Sequence, residues 1–524
     1  MLKRHTADMM LQQSQDRRCT LMSNGTQPLT RTASDTRRKT KIMKSIGIDL
    51  GTTTISAVVL DTASDQAAES RTIPNDTGIR TANAWERLQD AEQILQKAEA
   101  LLADLLALHP DVCAIGITGQ MHGIVYLNEA GDVISPLYTW QDERGNLPAA
   151  GNMQAGRGTP GEGDAPEAAD SKTNGSAAAK GRNTGKSASP KIPVGAGSGT
   201  LTEEIRERTG LTTYTGYGLV THLWLARAGL VPPEAAALCT IGDALGVKLT
   251  GRRTPLLYAG NAAGLGFYDA HLHRFHTKAL AEMGADSRLL PDTTADFVSP
   301  GVWHEIPVCI ALGDNQAAFL GAAGLKDDVI ALNMGTGGQV SVMSDTYCEI
   351  PGIETRPLTR DRWLLVGASL CGGYAYALLE QFYRSCLSAF GADPSGTDIY
   401  AVMERLAREG KGAGLQVRTA FLGTRENPDL SGAVSGIRAG NFTPAALTRG
   451  VLEGMAGELY GDYVRMQQAV GIRAERIIAS GNGLRRNPVL REICEDMFGL
   501  PIELSSRTEE AACGAAYAAV RAIR

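Results

Sequence analysis

The sequence predicts an α/β protein built from two similar domains, and three observations lead to that prediction. The stretch IDLGTTTISAVV at 48–59 returns in altered form as LNMGTGGQVSVM at 332–343. Apolar strand segments alternate with helical segments along both halves of the chain. At 524 residues the chain is too long for one ordinary hydrophobic core, so two large domains are expected.

Composition and charge narrow the classes of function. Hydrophobic residues make up 43% and charged residues 21% of the sequence, which is typical of a soluble globular protein. The net charge of −6 disfavours nucleic acid or an anionic membrane as the main partner, and no apolar run is long enough for a membrane helix. The nine cysteines are scattered without a C-x-x-C pair, so we expect reduced thiols in the cytoplasm.

Two segments differ from the rest in composition, and neither is expected to fold. Residues 1–43 are rich in Arg, Lys, Ser, Thr and Gln without lasting periodicity, which favours a disordered tail over an organelle transit peptide. Residues 148–200 form a low-complexity insertion whose apolar surface is too small to offset the entropy of ordering it. The remaining chain divides into a first domain at 44–322 and a second at 323–524.

The first domain is predicted to begin with two strands, SIGIDL and TTISAVVLD, joined by a Gly-Thr turn. Asn83 and Glu86 have the spacing of a capping box, and the apolar residues after them predict a helix that ends near Pro110. A buried strand is predicted at 112–118, and the pattern at 307–323 predicts a strand, a Gly-Asp turn and a helix.

The second domain is predicted to open with the second hairpin and to continue with long helices over 371–390 and 443–470. Residues 475–504 have the pattern of a strand, a Gly-rich turn, a helix and another strand, and an Ala-rich helix closes the chain. Because both domains begin with the same hairpin, the two turns are expected to grip one ligand from both sides.

The two Gly-Thr turns are the first candidate binding feature. Such turns direct N–H and O–H donors at one spot, which suits an anion such as phosphate. Asp49, just before the first turn, is a candidate for holding Mg²⁺ beside that phosphate. An ordinary Asp-Gly turn is the alternative, but the recurrence of the motif favours binding. The candidate donors are Gly51, Thr52 and Thr53 in one turn and Gly335 and Thr336 in the other.

Asp314 is the candidate for acid–base chemistry. It follows a nearly all-apolar strand in the sequence LGDNQAA. A carboxylate there can accept the proton of an alcohol that attacks a phosphate. It can equally be the N-cap of a helix, and the local sequence alone leaves the two interpretations even.

Polar residues after two further strand ends have the chemistry of a polyol site. Amide, imidazole, carboxylate and guanidinium groups bind hydroxyls, and a tryptophan ring packs on the apolar face of a sugar. Taken singly, the histidine and the tryptophan are equally well explained as structural residues, whereas together they favour a site. The candidates are Gln120, Met121 and His122 after one strand and Trp140, Asp142 and Arg144 after another.

Together these motifs resemble the FGGY family of carbohydrate kinases. They run in the family's order from residue 45 to the C-terminus, and their combination is far more specific than any one of them. The motifs are IDLGTTT (48–54), GITGQMHG (116–123), TWQDERG (139–145), GDNQAA (313–318), NMGTGG (333–338), FLGTRENP (421–428), LEGMAGELY (452–460) and SGNGLRRNPVL (480–490).

The resemblance implies two actin-like, ribonuclease-H-like ATPase domains that flank a deep catalytic cleft. It implies ATP and Mg²⁺ as cofactors, a monomer or homodimer, and transfer of the γ-phosphoryl group to a primary hydroxyl of a ketose. Asp314 matches the family's catalytic base, and the polyol candidates match sugar-side positions. On the nucleotide side, the resemblance adds Gly481, Gly483 and Asn487 to the two turns. Arg485 and Arg486 depart from the family pattern, which leaves open the side chain that meets the adenine.

Within the family, residues 216–229 and 480–490 are most similar to the sedoheptulokinase branch, so sedoheptulose is the expected acceptor. The GQMHG motif is shared with xylulokinases, which leaves xylulose, ribulose or another ketose as the alternative. An actin-like ATP-binding regulatory protein without kinase activity is the remoter alternative, and Asp314 with the polyol candidates argues against it.

Overall fold

The structure, a computed structural model, describes residues 44–64, 66–147, 199–424, 427 and 429–524. The predictions for residues 1–43 and for 148–198 of the insertion therefore lie outside the described residues. Two six-stranded sheets and the helices packed on them organise the described chain. No helix in these ranges is long and apolar enough to cross a membrane.

Strands and helices alternate along the described chain. The strands are β1 (Lys44–Leu50), β2 (Thr54–Asp61), β3 (Gln66–Pro74), β4 (Gly78–Ile79), β5 (Leu88–Gln89), β6 (Val112–Gly119), β7 (Val125–Leu127), β8 (Leu137–Tyr138), β9 (Ala237–Cys239), β10 (Leu256–Tyr258), β11 (Tyr268–Asp269), β12 (Arg274–Phe275), β13 (Asp292–Thr294), β14 (Gly301–Trp303), β15 (Ile306–Gly313), β16 (Val329–Met334), β17 (Gly338–Ser344), β18 (Glu354–Thr359), β19 (Arg362–Ser369), β20 (Gln416–Arg418), β21 (Ala433–Ser435), β22 (Arg476–Ser480) and β23 (Ile502–Leu504). The helices are α1 (Ala91–Leu108), α2 (Leu201–Thr209), α3 (Gly218–Ala228), α4 (Ile241–Thr250), α5 (Ala259–Leu265), α6 (Thr277–Met283), α7 (Asp314–Ala323), α8 (Gly372–Ala389), α9 (Ile399–Glu409), α10 (Pro444–Val470), α11 (Gly481–Arg486), α12 (Pro488–Phe498) and α13 (Glu510–Ala522).

The two large sheets share the order of five of their six strands. The first sheet has the order β14-β15-β6-β1-β2-β3, and the second has β18-β19-β17-β16-β22-β23. In each, an antiparallel hairpin is extended on one side by an antiparallel strand and on the other by two parallel strands. The sixth strand differs, because β14 joins the parallel side of the first sheet and β18 joins the antiparallel side of the second. The prediction of two similar α/β units, each opening with a Gly-Thr hairpin, is therefore confirmed.

The parallel strands bring the candidate residues to shared sheet edges. In the first sheet, Gly119 at the end of β6 pairs with Leu50 of β1 and with Gly313 of β15. Because parallel strands end at one edge, the residues that follow these three strands meet there. In the second sheet β16 pairs in parallel with β22, with Asn333 opposite Ser480, so the turns after those strands also meet.

The last helix, α13, packs on the first sheet and on α7, although it lies at the far end of the chain. A Cβ at Gly47 or Gly116 would lie 1.8 or 1.9 Å from a carbonyl oxygen of α13. A Cβ at Gly514 of α13 would lie 1.8 Å from the Ala317 carbonyl oxygen of α7. Only glycine allows backbones to approach this closely, which explains the small residues of the predicted Ala-rich helix.

The predicted capping box at Asn83 and Glu86 does not start a helix. The Glu86 N–H donates to the Asn83 carbonyl oxygen at 3.2 Å in a turn, and β5 follows. Helix α1 begins after Asp90, whose side chain accepts from the Gln93 N–H at 3.0 Å. This prediction was wrong because β5 pairs with β4 and β8, and that tertiary pairing delays the helix until the next good N-cap.

Candidate active site

Two carboxylates meet at the carboxyl edge of the first sheet: Asp49 near the end of β1 and Asp314 at the start of α7. Burial is the main cause of a pKa of about 7 for Asp49, and the charges of Asp314 and Glu509 contribute to that rise. Burial also raises the pKa of Asp314, while the charge of Arg356 and the Asn315 N–H lower it. Carboxylates that interact in this way indicate a site for a cation or a proton.

The alternative role of Asp314 as a helix cap does not fit the geometry. The N-cap of α7 is Gly313, and no side chain caps the helix there. Among the described residues, the Asp314 carboxylate accepts from the adjacent Asn315 N–H at 2.7 Å. A Cβ at Gly313 would lie 2.6 Å from Met121 Sδ, so this glycine lets the side chain of the polyol candidate Met121 lie close to the start of α7. The carboxylate of Asp314 is therefore not used to start its helix, which favours the interpretation as a base.

Asp49 fits the predicted role of a Mg²⁺ ligand. Its Oδ1 atom is buried and has no hydrogen-bond partner among the described residues. A buried carboxylate oxygen without a partner is costly, and Mg²⁺ with its bound water would supply both the missing charge and the missing donors. The assignment of Asp49 as that ligand stays a prediction.

Asp49→Asn should raise the unfolding temperature of the ligand-free protein at pH 8, and this gain should shrink toward pH 5. The pKa of Asp49 is raised from 3.8 to about 7 in the folded protein. The free energy of unfolding therefore falls as the pH rises between those values, because the folded protein resists ionisation of Asp49. Asparagine stays neutral throughout and avoids that cost. Thermal unfolding in Mg²⁺-free buffer at both pH values measures the difference.

The surface residue Asp111 provides a control, because its pKa is shifted in the opposite direction to that of Asp49. A hydrogen bond from Lys44 lowers its pKa, so its ionised form stabilises the folded protein above the pKa of the unfolded chain. Asp111→Asn should therefore lose stability at pH 8 rather than gain it. A gain for Asp49→Asn that is equal at pH 5 and pH 8 would contradict the raised pKa of Asp49.

Polar side chains hold the turn of the first hairpin. Asn75 donates from Nδ2 to the Gly51 carbonyl oxygen at 2.7 Å and from its backbone N–H to the Thr53 carbonyl oxygen at 2.9 Å. The Thr52 hydroxyl accepts from Trp140 Nε1 at 3.0 Å, which leaves its own hydrogen to donate. Because the carbonyl groups are occupied, N–H and O–H donors are what this turn offers a phosphate.

Gln89, which the sequence analysis missed, links this turn to the polyol candidates. Its Nε2 donates to the Thr52 carbonyl oxygen at 2.8 Å, and its Oε1 accepts from Gln120 Nε2 at 2.9 Å. Gln89 and Gln120 are both buried, and through Gln89 the side chain of Gln120 helps to fix the first turn. Direct sugar binding by Gln120 stays a prediction. The local sequence signals only a strand residue at Gln89, because its partners are distant in the chain.

His122 is held in an unusual conformation at the same edge. Its φ is 72°, a left-handed value that is uncommon outside glycine and that is found at functional sites. Its ring stacks on Tyr217 with a centroid distance of 4.6 Å and an angle of 3°. Nδ1 lies 2.5 Å from the Gly264 carbonyl oxygen and must donate to it, which fixes Nε2 as an acceptor when the ring is neutral. Met121, beside it, is buried.

The structure buries Asp142 and Arg144 and leaves Trp140 open. Arg144 Nε donates to Asp142 Oδ1 at 2.6 Å, and the two side chains are 2% and 0% exposed. Three aromatic rings lie 4.8–5.3 Å from the guanidinium, those of Trp85, Tyr138 and Trp224. Trp140, in contrast, is 45% exposed. This buried cluster anchors the segment that carries Trp140, and direct sugar contact by Asp142 and Arg144 stays a prediction.

A cavity of about 940 Å³ lies beside the second hairpin. Its size suits a nucleotide. Five nucleotide-side candidates line it, namely Gly335, Thr336, Gly481, Gly483 and Asn487. The remaining candidates of this group, Gly51, Thr52 and Thr53, lie in the first hairpin instead. The sequence carries no local signal for three further lining residues on α8 and α9, namely Tyr376, Tyr400 and Glu404.

The two arginines of α11, Arg485 and Arg486, differ in whether they line this cavity. Arg486 lines the cavity, whereas Arg485 donates to Glu510 at 2.9 Å. The start of α8 also lines the cavity and supports the second turn, since the Gly373 N–H donates to the Gly335 carbonyl oxygen at 2.9 Å. Of the two arginines, Arg486 is therefore the one that a ligand in this cavity would contact.

Comparisons with known proteins agree with this geometry. Residues 44–154 match the model of the N-terminal domain of the FGGY family of carbohydrate kinases, and residues 330–523 match that of the C-terminal domain. Together these ranges cover more than half of the chain. The sedoheptulokinase of Homo sapiens is 26% identical over 520 residues, which cover 91% of this chain and 97% of that protein.

Solved structures share the fold. The xylulose kinase from Rhodospirillum rubrum has a TM-score of 0.71 at 21% identity, covering 91% of this chain and 89% of that one. The glycerol kinase of Plasmodium falciparum, solved with ADP, has a TM-score of 0.69 at 15% identity, covering 92% of this chain and 90% of that one. The predicted actin-like fold class is thereby confirmed.

Proposed function

The chain belongs to the FGGY family of carbohydrate kinases, and on this premise we propose that it transfers the γ-phosphoryl group of ATP to a primary hydroxyl of sedoheptulose. It is accordingly a phosphotransferase with an alcohol group as acceptor. The observation that carries the proposal is the meeting of Asp314 and Asp49 at one sheet edge, with Met121 in contact with the helix that Asp314 begins. In this proposal Asp314 accepts the proton of the acceptor hydroxyl, and Asp49 is the carboxylate that would hold Mg²⁺.

The proposed mechanism rests on position and charge rather than on a covalent intermediate. The transition state of phosphoryl transfer is loose and demands little nucleophilicity, so Asp314 orients the acceptor hydroxyl and takes its proton late. Mg²⁺ held near Asp49 would neutralise charge on the phosphates. The turn after β16 and the cavity beside it hold the nucleotide, and the turn after β1 contributes donors from the opposite side. Closure of the cleft would exclude water as a competing acceptor.

Two observations support sedoheptulose as the acceptor. The similarity to the sedoheptulokinase of Homo sapiens extends over nearly the whole of that protein. Residues 216–229, which resemble that branch of the family, include Tyr217, and its ring stacks on His122. This contact supports the assignment of that segment to the sugar side of the site. Location in the cytoplasm and a monomeric or homodimeric state stay predictions.

Among phosphate acceptors, sedoheptulose should give the highest kcat/KM, ahead of xylulose and ribulose. A pentulose would leave groups that bind the additional hydroxyls of a heptulose unpaired, at about 1–3 kcal/mol for each buried polar group. That loss corresponds to a preference of roughly tenfold or more per group. A coupled assay for ADP with each sugar at saturating Mg-ATP measures the ranking.

The same panel separates the alternatives. If the kcat/KM for xylulose or ribulose matches that for sedoheptulose, the chain is better described as a ketopentose kinase. The proposal of ATP-dependent sugar phosphorylation then still holds. If ATP binds tightly but no polyol increases ADP release, the actin-like regulatory protein becomes the better interpretation.

A further inference from the structure

Arg356 is a buried cation that reaches the acceptor side of the site from the second sheet. It lies on β18, and its side chain is 7% exposed. Its Nη1 atom lies 3.7 Å from Met121 Sδ. The same sulfur lies 3.8 Å from Nδ2 of Asn315, which follows Asp314 in α7. The guanidinium therefore stands beside the segment after β6 and beside the start of α7.

The hydrogen bonds of Arg356 are unevenly distributed. A guanidinium donates from Nε and from both terminal nitrogens. Nε and Nη2 donate to one oxygen of Glu354, at 2.9 and 2.5 Å. Nη1 reaches only the Met121 thioether, a weak acceptor, and no oxygen among the described residues accepts from it. A buried charged donor without a strong acceptor is costly, so Nη1 is the atom at which a ligand oxygen would be bound best.

The surroundings of Arg356 indicate the charge of that ligand. Glu354 pairs with the guanidinium, and the charge of Asp314 also acts on it. Arg356 is thus already neutralised by one carboxylate, and a second carboxylate is near. Tyr217, which stacks on His122, also interacts electrostatically with Arg356. An uncharged oxygen fits this site better than an additional anion does.

We propose that Arg356 is a specificity-determining residue of the acceptor site, whose Nη1 donates a hydrogen bond to a hydroxyl or carbonyl oxygen of a neutral polyol held beside Asp314. This inference rests on the proposed function and refines it, because it favours ketoses over sugar acids. It also assigns a residue of the second sheet to a sugar site whose sequence-predicted residues all come from the first half of the chain.

Arg356→Met tests the proposal, since methionine keeps much of the side-chain length but removes the donors. We expect kcat/KM for sedoheptulose to fall by roughly tenfold to a hundredfold, as for the loss of a charged hydrogen bond to substrate. The KM for ATP should stay within about twofold, because Arg356 is assigned to the acceptor and not to the nucleotide. Arg356→Lys, which keeps the charge but loses the planar fork, should be intermediate.

Arg362→Met is the matched control. Arg362 lies on the neighbouring strand β19, and its Nη1 is 3.6 Å from Met343 Sδ, so it repeats the arginine–methionine contact away from the site. A merely structural role predicts similar effects for the two methionine variants. The proposal predicts that Arg362→Met keeps the parent's KM for sugar.

A series of deoxy sugars identifies the oxygen that Arg356 binds. The parent should lose activity on the analogue that lacks this oxygen, while Arg356→Met should show no further loss on that analogue. Additive losses on every analogue would overturn the proposal, as would an Arg356→Met variant with the parent's sugar kinetics. Should Arg356→Met fail to fold, the same comparison with Arg356→Lys decides the matter. A parent without turnover on any ketose refutes the proposed function and this inference with it, whereas an active parent with unaffected variants refutes this inference alone.

Discussion

Asp314→Ala is expected to lower the rate of sugar phosphorylation by roughly 10²–10⁴, the usual loss for a general base, while ATP binding stays intact. The carboxylate lies at the start of α7 without capping it, and the nucleotide cavity is formed by residues of the second half of the chain. Removing it therefore takes away the proton acceptor without touching the cavity. Steady-state kinetics and titration of ATP binding on the purified variant measure the two effects separately.

A genuine helix cap supplies the control for Asp314. Asp90 accepts from the Gln93 N–H at the start of α1, so Asp90→Ala should cost about 1 kcal/mol of unfolding free energy and leave the rate near that of the parent. If Asp314→Ala keeps more than half of the parent activity, or if it behaves as Asp90→Ala does, the assignment of the base is wrong.

Gly481→Ala is expected to weaken ATP binding by roughly tenfold or more. Gly481 has a φ of 80° and lines the nucleotide cavity. A Cβ there would lie 2.5 Å from the Met334 carbonyl oxygen, which immediately precedes the second Gly-Thr turn. The substitution therefore combines left-handed strain of roughly 1–2 kcal/mol with a collision that must displace the turn or the start of α11. Isothermal titration with ATP measures the loss of affinity.

Gly499→Ala is the control for Gly481→Ala, because it introduces the left-handed backbone strain without the collision. Gly499 ends α12 with a φ of 66°, and a Cβ there would meet no atom within 4 Å. Gly499→Ala should therefore lower stability by about 1–2 kcal/mol, as expected for left-handed backbone alone, and keep the parent's affinity for ATP. Equal ATP affinities for Gly481→Ala and Gly499→Ala would contradict the placement of the nucleotide beside Gly481.

The features that the sequence predicts well are those with a local signal. The two Gly-Thr hairpins, the strand that precedes Asp314 and the long helices over 371–390 and 443–470 follow from periodicity and turn residues, and the structure contains them. The start of α1 was misplaced because Asn83 and Asp90 are both competent caps, and only the pairing of β5 decides between them.

The residues that the sequence does not reveal act through partners that are distant in the chain. Gln89 acquires its role from Gln120 and from the first turn, and nothing in its own segment signals those bonds. Arg356 lies 235 positions from Met121, which it contacts, so no spacing rule connects the two residues. Asp142 and Arg144 illustrate the converse, because a polar pattern typical of a sugar site also describes a buried ion pair enclosed by aromatic rings.

We expect this chain to move a phosphoryl group from ATP to a primary hydroxyl of a ketose. The most direct test is to incubate the protein with ATP, Mg²⁺ and sedoheptulose and to identify the products by ³¹P NMR and mass spectrometry. The account predicts ADP and a sugar monophosphate in equal amounts, with the phosphorus coupled to the protons of a terminal CH₂ group, and no product from Asp314→Ala on the same time scale. ADP formation without a phosphorylated sugar from any ketose, or no ADP at all, would contradict it.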